Sequence, residues 1–305
     1  MFAKATRRKL LHLGAASGAA AVGTAILDHT PHVMAQTNAL VGHAHALVSQ
    51  SSKIDEVLKR GHVIVGTGSQ NPPWHSDNAQ GTLIGMDIAM GQILSTGLFS
   101  KPDRVQFLRQ DADARIPNLL SNKVDIVIQF MTVNALRAQL VAFSIPYYTE
   151  ADNFLFLANS PYSSNKSLIG HHATISGLQN VDLVSTVKGV VPDATILALP
   201  SQGSVILALE TGRAQAAFVD LSTTRYLSQL FPKKFKASHT PFNPNNYAAA
   251  LAPTDQLWIN FVNTVFHEAI TGLTWQSYAA AFKTYFGVSL RAPSAGLPEQ
   301  YGNRG

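Results

Sequence analysis

The sequence predicts an α/β chain built as two sheet-and-helix units, and three observations carry that reading. β-branched runs alternate with helical stretches of about 10–13 residues in both halves, the rhythm of strand–helix–strand units on parallel sheets. "VDIVIQF", residues 124–130, is apolar almost throughout, as strands covered on both faces are. The length, 305 residues, accommodates one large or two medium cores.

The elements follow in order. Ser52 precedes "KIDEVL", a short helix with a capping residue at its start. "HVIVG" after Gly61 is a compact strand. "IGMDIAMGQILSTGL" passes from strand-like to helical spacing. "RVQFL" is a second strand, and "DADARIPNLLSNK" reads as a helix with acidic residues in its first turn. The second half repeats the logic without a detectable sequence repeat. "ATIS", "ATILALP" and "AQAAFVD" are strands, and "VDLVSTVKGVV" and "SQGSVILALETGR" are the helices between them. "PTDQLWINFVNTVFHEAITGLTWQSYAAAFKTYFG" is a long amphipathic helical tail that ends at Gly287.

The formal charge is +5, but Lys4, Arg7, Arg8 and Lys9 against Asp28 place most of it in residues 1–35. The remainder is nearly balanced, which argues against a nucleic-acid partner. With no cysteine, disulfides, thiol catalysis and thiolate metal sites are excluded. Residues 1–35 read as a cleaved export signal: a basic start, a soft Ala/Gly-rich run, and Val33-Met34-Ala35 before the cut. Thr6-Arg7-Arg8-Lys9-Leu10-Leu11 is similar to the twin-arginine export motif, with Leu10 where Phe is usual. Residues 36–53 read as a mobile leader. No cysteine follows the apolar run, so a lipid anchor is not expected, and no other stretch reaches about 18 apolar residues. The expected place is the periplasm.

Several pieces stand in a recognisable order: "GTLIGMDIAM", "ARIPNLLSNKVDIVIQFMTVNALRAQLVAFSIPYY", "ALETGRAQAAFVD" and "TYFG". This order resembles the polar-amino-acid family of periplasmic solute-binding proteins of ABC transporters, from about Ile54 to Gly287. The resemblance implies a two-lobe clamp of type II, each lobe a mainly parallel sheet flanked by helices, with a two-strand hinge. Lobe 1 is then 54–148 plus 247–305, and lobe 2 is 149–246. The crossings lie near 147–151 and 241–248. The resemblance further implies an L-amino acid, on one reading an acidic one, bound between the closing lobes, and a membrane ABC permease that receives it from a monomeric carrier. Neither a cofactor nor a metal is implied.

Arg137, five residues after Thr132, offers a planar fork that suits a carboxylate. In the family an arginine here grips the α-carboxylate, helped by a hydroxyl at the position of Thr132. Asp220 ends the apolar strand "AQAAFVD" and needs a partner or a capping role. The resemblance gives it the ligand's α-ammonium. Gly177-Leu178-Gln179 falls where the family has Gly-Thr/Ser, so Leu178 replaces an expected hydroxyl. Asn71 stands where the family often has an aromatic that stacks on the ligand, which implies weaker stacking or stacking moved to Trp74 or Phe130, and Trp74 suits packing under the loop nearly as well. Arg115, in "ARIPNLL", resembles binders of acidic amino acids. Read alone it is a helix-surface arginine near Asp111 and Asp113.

The alternative function is an enzyme on the same fold, similar to cyclohexadienyl or arogenate dehydratases, with Glu150 and Asp152 at the hinge as further acids. His43/His45 and His171/His172 lack carboxylates at ligand spacing, and "VGTGS" and His267-Glu268 lack the rest of their motifs.

Overall fold

A computed structural model describes residues 52–294 and Gly296. The expected export signal and residues 36–51 of the leader lie outside the described residues. Helix α1 (Lys53–Arg60) takes in the leader's last residue. Its start is a reciprocal cap: the Ser52 hydroxyl accepts from the Ile54 N–H, and Asp55 accepts from the Ser52 N–H. The helix ends at Gly61, φ +81, a conformation glycine adopts without a Cβ penalty.

The first sheet has the order β5 (Val105–Arg109), β1 (Val63–Thr67), β6 (Ile126–Val127), β14 (Ala250–Leu251), β7 (Ala142–Phe143). β1 is parallel to both β5 and β6, and β14 is antiparallel to β6 and β7. Helices α2 (Met86–Phe99), α8 (Gln256–Thr271) and α9 (Trp275–Phe286) pack with this sheet around Val65, Met90, Leu94, Trp258 and Phe266, all buried. A small antiparallel sheet of β2 (Gln70–Asn71), β3 (His75–Asp77) and β4 (Leu83–Ile84) carries the first loop. α2 can follow β4 directly because Gly85 holds φ +131, with the Trp74 carbonyl oxygen 2.2 Å from where a Cβ would stand.

The second sheet has the order β10 (Thr195–Leu199), β9 (Thr174–Leu178), β11 (Ala216–Asp220), β8 (Tyr148–Leu157), β12 (Phe235–Ala237), with β13 (Phe242–Tyr247) also on β8. The first three strands are parallel. β8 runs against β11, β12 and β13, so this sheet is mixed rather than mainly parallel. Helices α5 (Leu183–Val190), α6 (Gln202–Glu210) and α7 (Leu221–Leu230) belong to this half, and Phe154, Phe156, Ile175, Leu183 and Val187 are buried together. Tyr148 at the start of β8 pairs with Tyr247 at the end of β13, so the two connections between the sheets lie side by side.

Three expectations change in detail. "VDIVIQF" is buried throughout, yet only Ile126–Val127 pair as strand, because the chain turns inward to Phe130 at φ +34. Asp111 and Asp113 precede helix α3 (Arg115–Leu120) instead of filling its first turn. The tail is two helices, broken at Gly272–Thr274.

Candidate functional site

A cavity of about 400 Å³ is lined by the loop from Phe130 to Arg137 on one side and by Leu178, Asp182, Phe218 and Asp220 on the other. Short helix α4 (Ala135–Ala138) positions Arg137, and the Asn134 side chain caps it by accepting from the Arg137 N–H at 2.9 Å. The guanidinium Nη1 donates to the Thr132 carbonyl at 2.9 Å, and Nη2 meets Asp182 Oδ2 at 3.2 Å. Burial lowers the Arg137 pKa, and the Asp182 charge opposes that shift.

Arg115 is 4% exposed, so it is not a helix-surface residue. Its Nε and Nη1 donate to the Ala112 and Gln129 carbonyls at 2.7 and 3.1 Å, and its Cζ stands 5.4 Å from the Phe130 ring centroid. No carboxylate among the described residues forms an ion pair with it. Burial first, and the Arg137 charge second, lower its pKa to about 9. A buried cation held only by carbonyls and a ring is the natural seat for an anion.

Phe130 closes this end of the cavity. Its positive φ is held by Asp87, which accepts the Phe130 N–H at 3.0 Å, the Tyr147 hydroxyl at 3.0 Å and His75 Nδ1 at 2.8 Å. A strained backbone fixed by a fully buried carboxylate is a common arrangement beside a binding site. Beyond Phe130, Leu178 and Gln202 a second chamber of about 180 Å³ continues, with Gln70, Gln110 and Gln129 in its wall.

The acids come from β8, β11 and the start of α5. Asp220 occupies the N-cap position of α7 but makes no side-chain capping bond, which leaves its carboxylate to the cavity. Its pKa is raised by burial, against the opposing pull of Tyr247, Arg115 and Arg137. Asp152 lines the same wall and accepts from Asn243 Nδ2 at 3.1 Å. Burial, then the Asp220 charge, push it up to about 7. Glu150 lies deeper and accepts the Ser222 and Ala151 N–H groups at 3.2 and 2.9 Å as well as the Ser222 hydroxyl. Its pKa is also raised by burial and by Asp220.

Thus Arg137, Thr132, Asp220, Arg115, Phe130 and Leu178 line one cavity. Four other expected residues are not in its wall. Trp74 is fully buried, its indole N–H donates to Ser222 Oγ at 2.8 Å, and its ring lies 4.8, 4.9 and 5.2 Å from Tyr148, Tyr247 and Phe286. It is the centre of an aromatic cluster at the crossings. Asn71 is fully buried, with Oδ1 accepting from Thr223 Oγ1 at 3.0 Å, so it joins the first loop to α7. Gly177 lies under α5, where a Cβ would come 2.3 Å from Leu183 Cδ1. Gln179 is exposed, and its N–H donates to the Leu199 carbonyl at 2.8 Å.

Other residues of the wall were not singled out in the sequence. Asn180, two residues past Leu178, supplies polar atoms on the stretch where a hydroxyl is missing. Asp182 is a capping-type residue before a helix, a signal that points to the helix rather than to a cleft. Gln202 is 5% exposed, and its Nε2 lacks a partner among the described residues, as does Asn245 Oδ1. Unpartnered buried polar atoms are rare in native folds, and both belong to cavity-lining residues.

Comparison with known proteins agrees with this architecture. The lysine/arginine/ornithine-binding periplasmic protein of Escherichia coli (strain K12) is 25% identical over 188 residues, 61% of this chain and 71% of that protein. The solved structure of the cysteine-binding protein from Campylobacter jejuni matches with a TM-score of 0.72 at 22% identity, over 82% of this chain and 98% of that one. An ancestral amino acid-binding protein described as a precursor of cyclohexadienyl dehydratase matches with a TM-score of 0.70 at 24% identity, over 77% of this chain and all of that one. The fold is the two-lobe clamp of the type II periplasmic binding proteins. The family model of the bacterial extracellular solute-binding proteins, family 3, matches residues 63–288, and the chain belongs to that family.

Proposed function

We propose that the chain is the periplasmic substrate-binding component of an amino-acid ABC importer. It takes an L-amino acid between lobe 1 (54–148 plus 247–305) and lobe 2 (149–246) and delivers it as a monomer to a membrane permease. The observation that carries this reading is the meeting of two guanidinium groups, Arg115 and Arg137, with the uncapped carboxylate of Asp220 in one cavity. That is the charge pattern of a zwitterion's complement: cations for the α-carboxylate, an anion for the α-ammonium. Thr132 holds Arg137 through its carbonyl. Arg115, without an ion-pair partner among the described residues, supports an acidic side chain on the ligand. Among the described residues no helix is long and apolar enough to cross a membrane.

Thermal-shift screening of the exported form tests this with L-glutamate, L-aspartate, L-glutamine, L-histidine and L-arginine. At least one raises the melting temperature, and Arg137→Ala removes the effect. Stabilisation by sugars alone would sink the reading.

One observation favours a second reading, a dehydratase-like enzyme. Asp152, pushed up to about 7, could hold a proton near two arginines that suit an acidic substrate. Incubation with prephenate and with arogenate decides it: turnover abolished by Asp220→Asn supports the enzyme, and no turnover removes it.

A further inference from the structure

Asp182 stands immediately before α5, in the capping position, yet its carboxylate makes no hydrogen bond to that helix. Aspartate is favoured there because its oxygen can take an N–H of the first turn. Here it points elsewhere. Its Oδ2 accepts from the Asn134 side-chain amide at 2.7 Å and meets Arg137 Nη2 at 3.2 Å. Both partners belong to the stretch that starts α4, after the first sheet's β6, whereas Asp182 follows β9 of the second sheet. The contact therefore spans the cavity.

Each side of the contact is braced. Asn180 Oδ1 accepts from the Asp182 N–H at 2.9 Å, and its Nδ2 donates to the Leu178 carbonyl at 2.9 Å, which fixes the loop carrying Asp182. Asn134 is fixed by capping α4. Little side-chain freedom is left to lose when the pair forms, unlike a pair of long surface side chains.

We propose that Asp182 is an internal carboxylate that occupies Arg137 in place of an amino acid's carboxylate, so that it latches the lobes and sets the affinity of the cleft. This rests on the reading of Arg137 as the carboxylate-binding group. An arriving carboxylate meets a guanidinium whose Nη1 already donates to Thr132 and whose Nη2 already faces Asp182. To gain a planar two-point grip it displaces Asp182. A contact that is lost on binding weakens binding by the factor with which it favours the latched form.

The test is Asp182→Asn, which removes the charge, keeps the shape and costs α5 no side-chain cap. With no amino acid added, small-angle X-ray scattering should show a larger radius of gyration for the variant than for the parent. Titration calorimetry with L-glutamate, L-glutamine and L-arginine should show tighter binding by the variant, roughly three- to tenfold, for those that bind the parent. Asp182→Ala should act in the same direction, which separates loss of the latch from any contact made by the new amide. Identical scattering curves overturn the proposal, and so does unchanged or weaker binding by both variants. If none of the five amino acids of the thermal-shift screen binds the parent but the scattering shifts, the latch stands and the reading of Arg137 as a carboxylate site fails.

Discussion

Asp220 and Asp152 are direct register partners across the antiparallel pair β11–β8, two carboxyls brought together in the wall of one cavity. Both titrate above the usual carboxylate range because burial disfavours their charged forms, and Asp220 adds repulsion at Asp152. Asp152 goes from an ordinary 3.8 to about 7. Between these values the folded chain keeps a proton that the unfolded chain has released. Stability therefore falls as pH rises through that window, the opposite of a salt-bridged aspartate. Differential scanning fluorimetry from pH 4 to 8 should show a declining melting temperature, and Asp152→Asn should flatten the decline.

Amino-acid affinity should slope the other way. The α-ammonium calls for a charged Asp220, whose raised pKa delays that charge. Binding tightens as pH rises over the acidic range, and Asp220→Asn both weakens binding and removes most of the pH dependence. Calorimetric titrations at four or five pH values would check this, and a flat profile for the parent would count against the assignment of Asp220.

Arg115→Met separates binding from stability. The guanidinium is buried without an ion pair among the described residues, so exchanging it for an apolar chain of similar length should shift unfolding free energy by no more than about 1–2 kcal/mol. Amino-acid affinity should drop at least about tenfold, the scale of a lost charge-assisted contact. Urea unfolding beside ligand titration gives both numbers.

Trp74→Ala should act on folding. The fully buried ring packs against Tyr148, Tyr247 and Phe286, so truncation should cost about 3–5 kcal/mol. Trp74→Phe keeps much of the packing and loses the donor to Ser222, at a cost of about 1–3 kcal/mol. Denaturant midpoints measure both. A normal midpoint for Trp74→Ala with weakened binding would return Trp74 to the ligand.

Gly85→Ala should be among the most damaging single-methyl additions. Its φ of +131 is unfavourable for a side chain, and the methyl would meet the Trp74 backbone rather than a flexible side-chain end. A loss of at least about 2 kcal/mol is expected in the same unfolding assay.

Much of the fold was legible because its elements obey local rules. Ser52 at a helix start, the compact β-branched run after Gly61 and the alternation of strands and helices from Thr174 to Asp220 each specify an element without help from distant residues. Arg137 and Asp220 were singled out by the order of motifs around them rather than by their own spacing, and both line the cavity. The misplaced residues are those whose role depends on a distant partner. Trp74 and Asn71 in a polar loop suit stacking or packing equally, and only Ser222 and Thr223, some 150 positions away, decide between the two. Asp182 had a sufficient local explanation as a cap, and the geometry withdraws it. The tail lacked a proline at its break, so two helices read as one.

Strand β8 has one further consequence. It begins at Tyr148, in the crossing between the sheets, and runs without interruption through Glu150 and Asp152 into the centre of the second sheet. The strand that leaves the crossing between the sheets is thus the strand that carries two acids whose charged forms burial disfavours. Closure by bending at this crossing, as the proposed clamp implies, should change the solvation of Glu150 and Asp152 and so be accompanied by proton uptake or release. A sensitive indicator dye in weak buffer would follow its opening and closing in real time without any label on the protein.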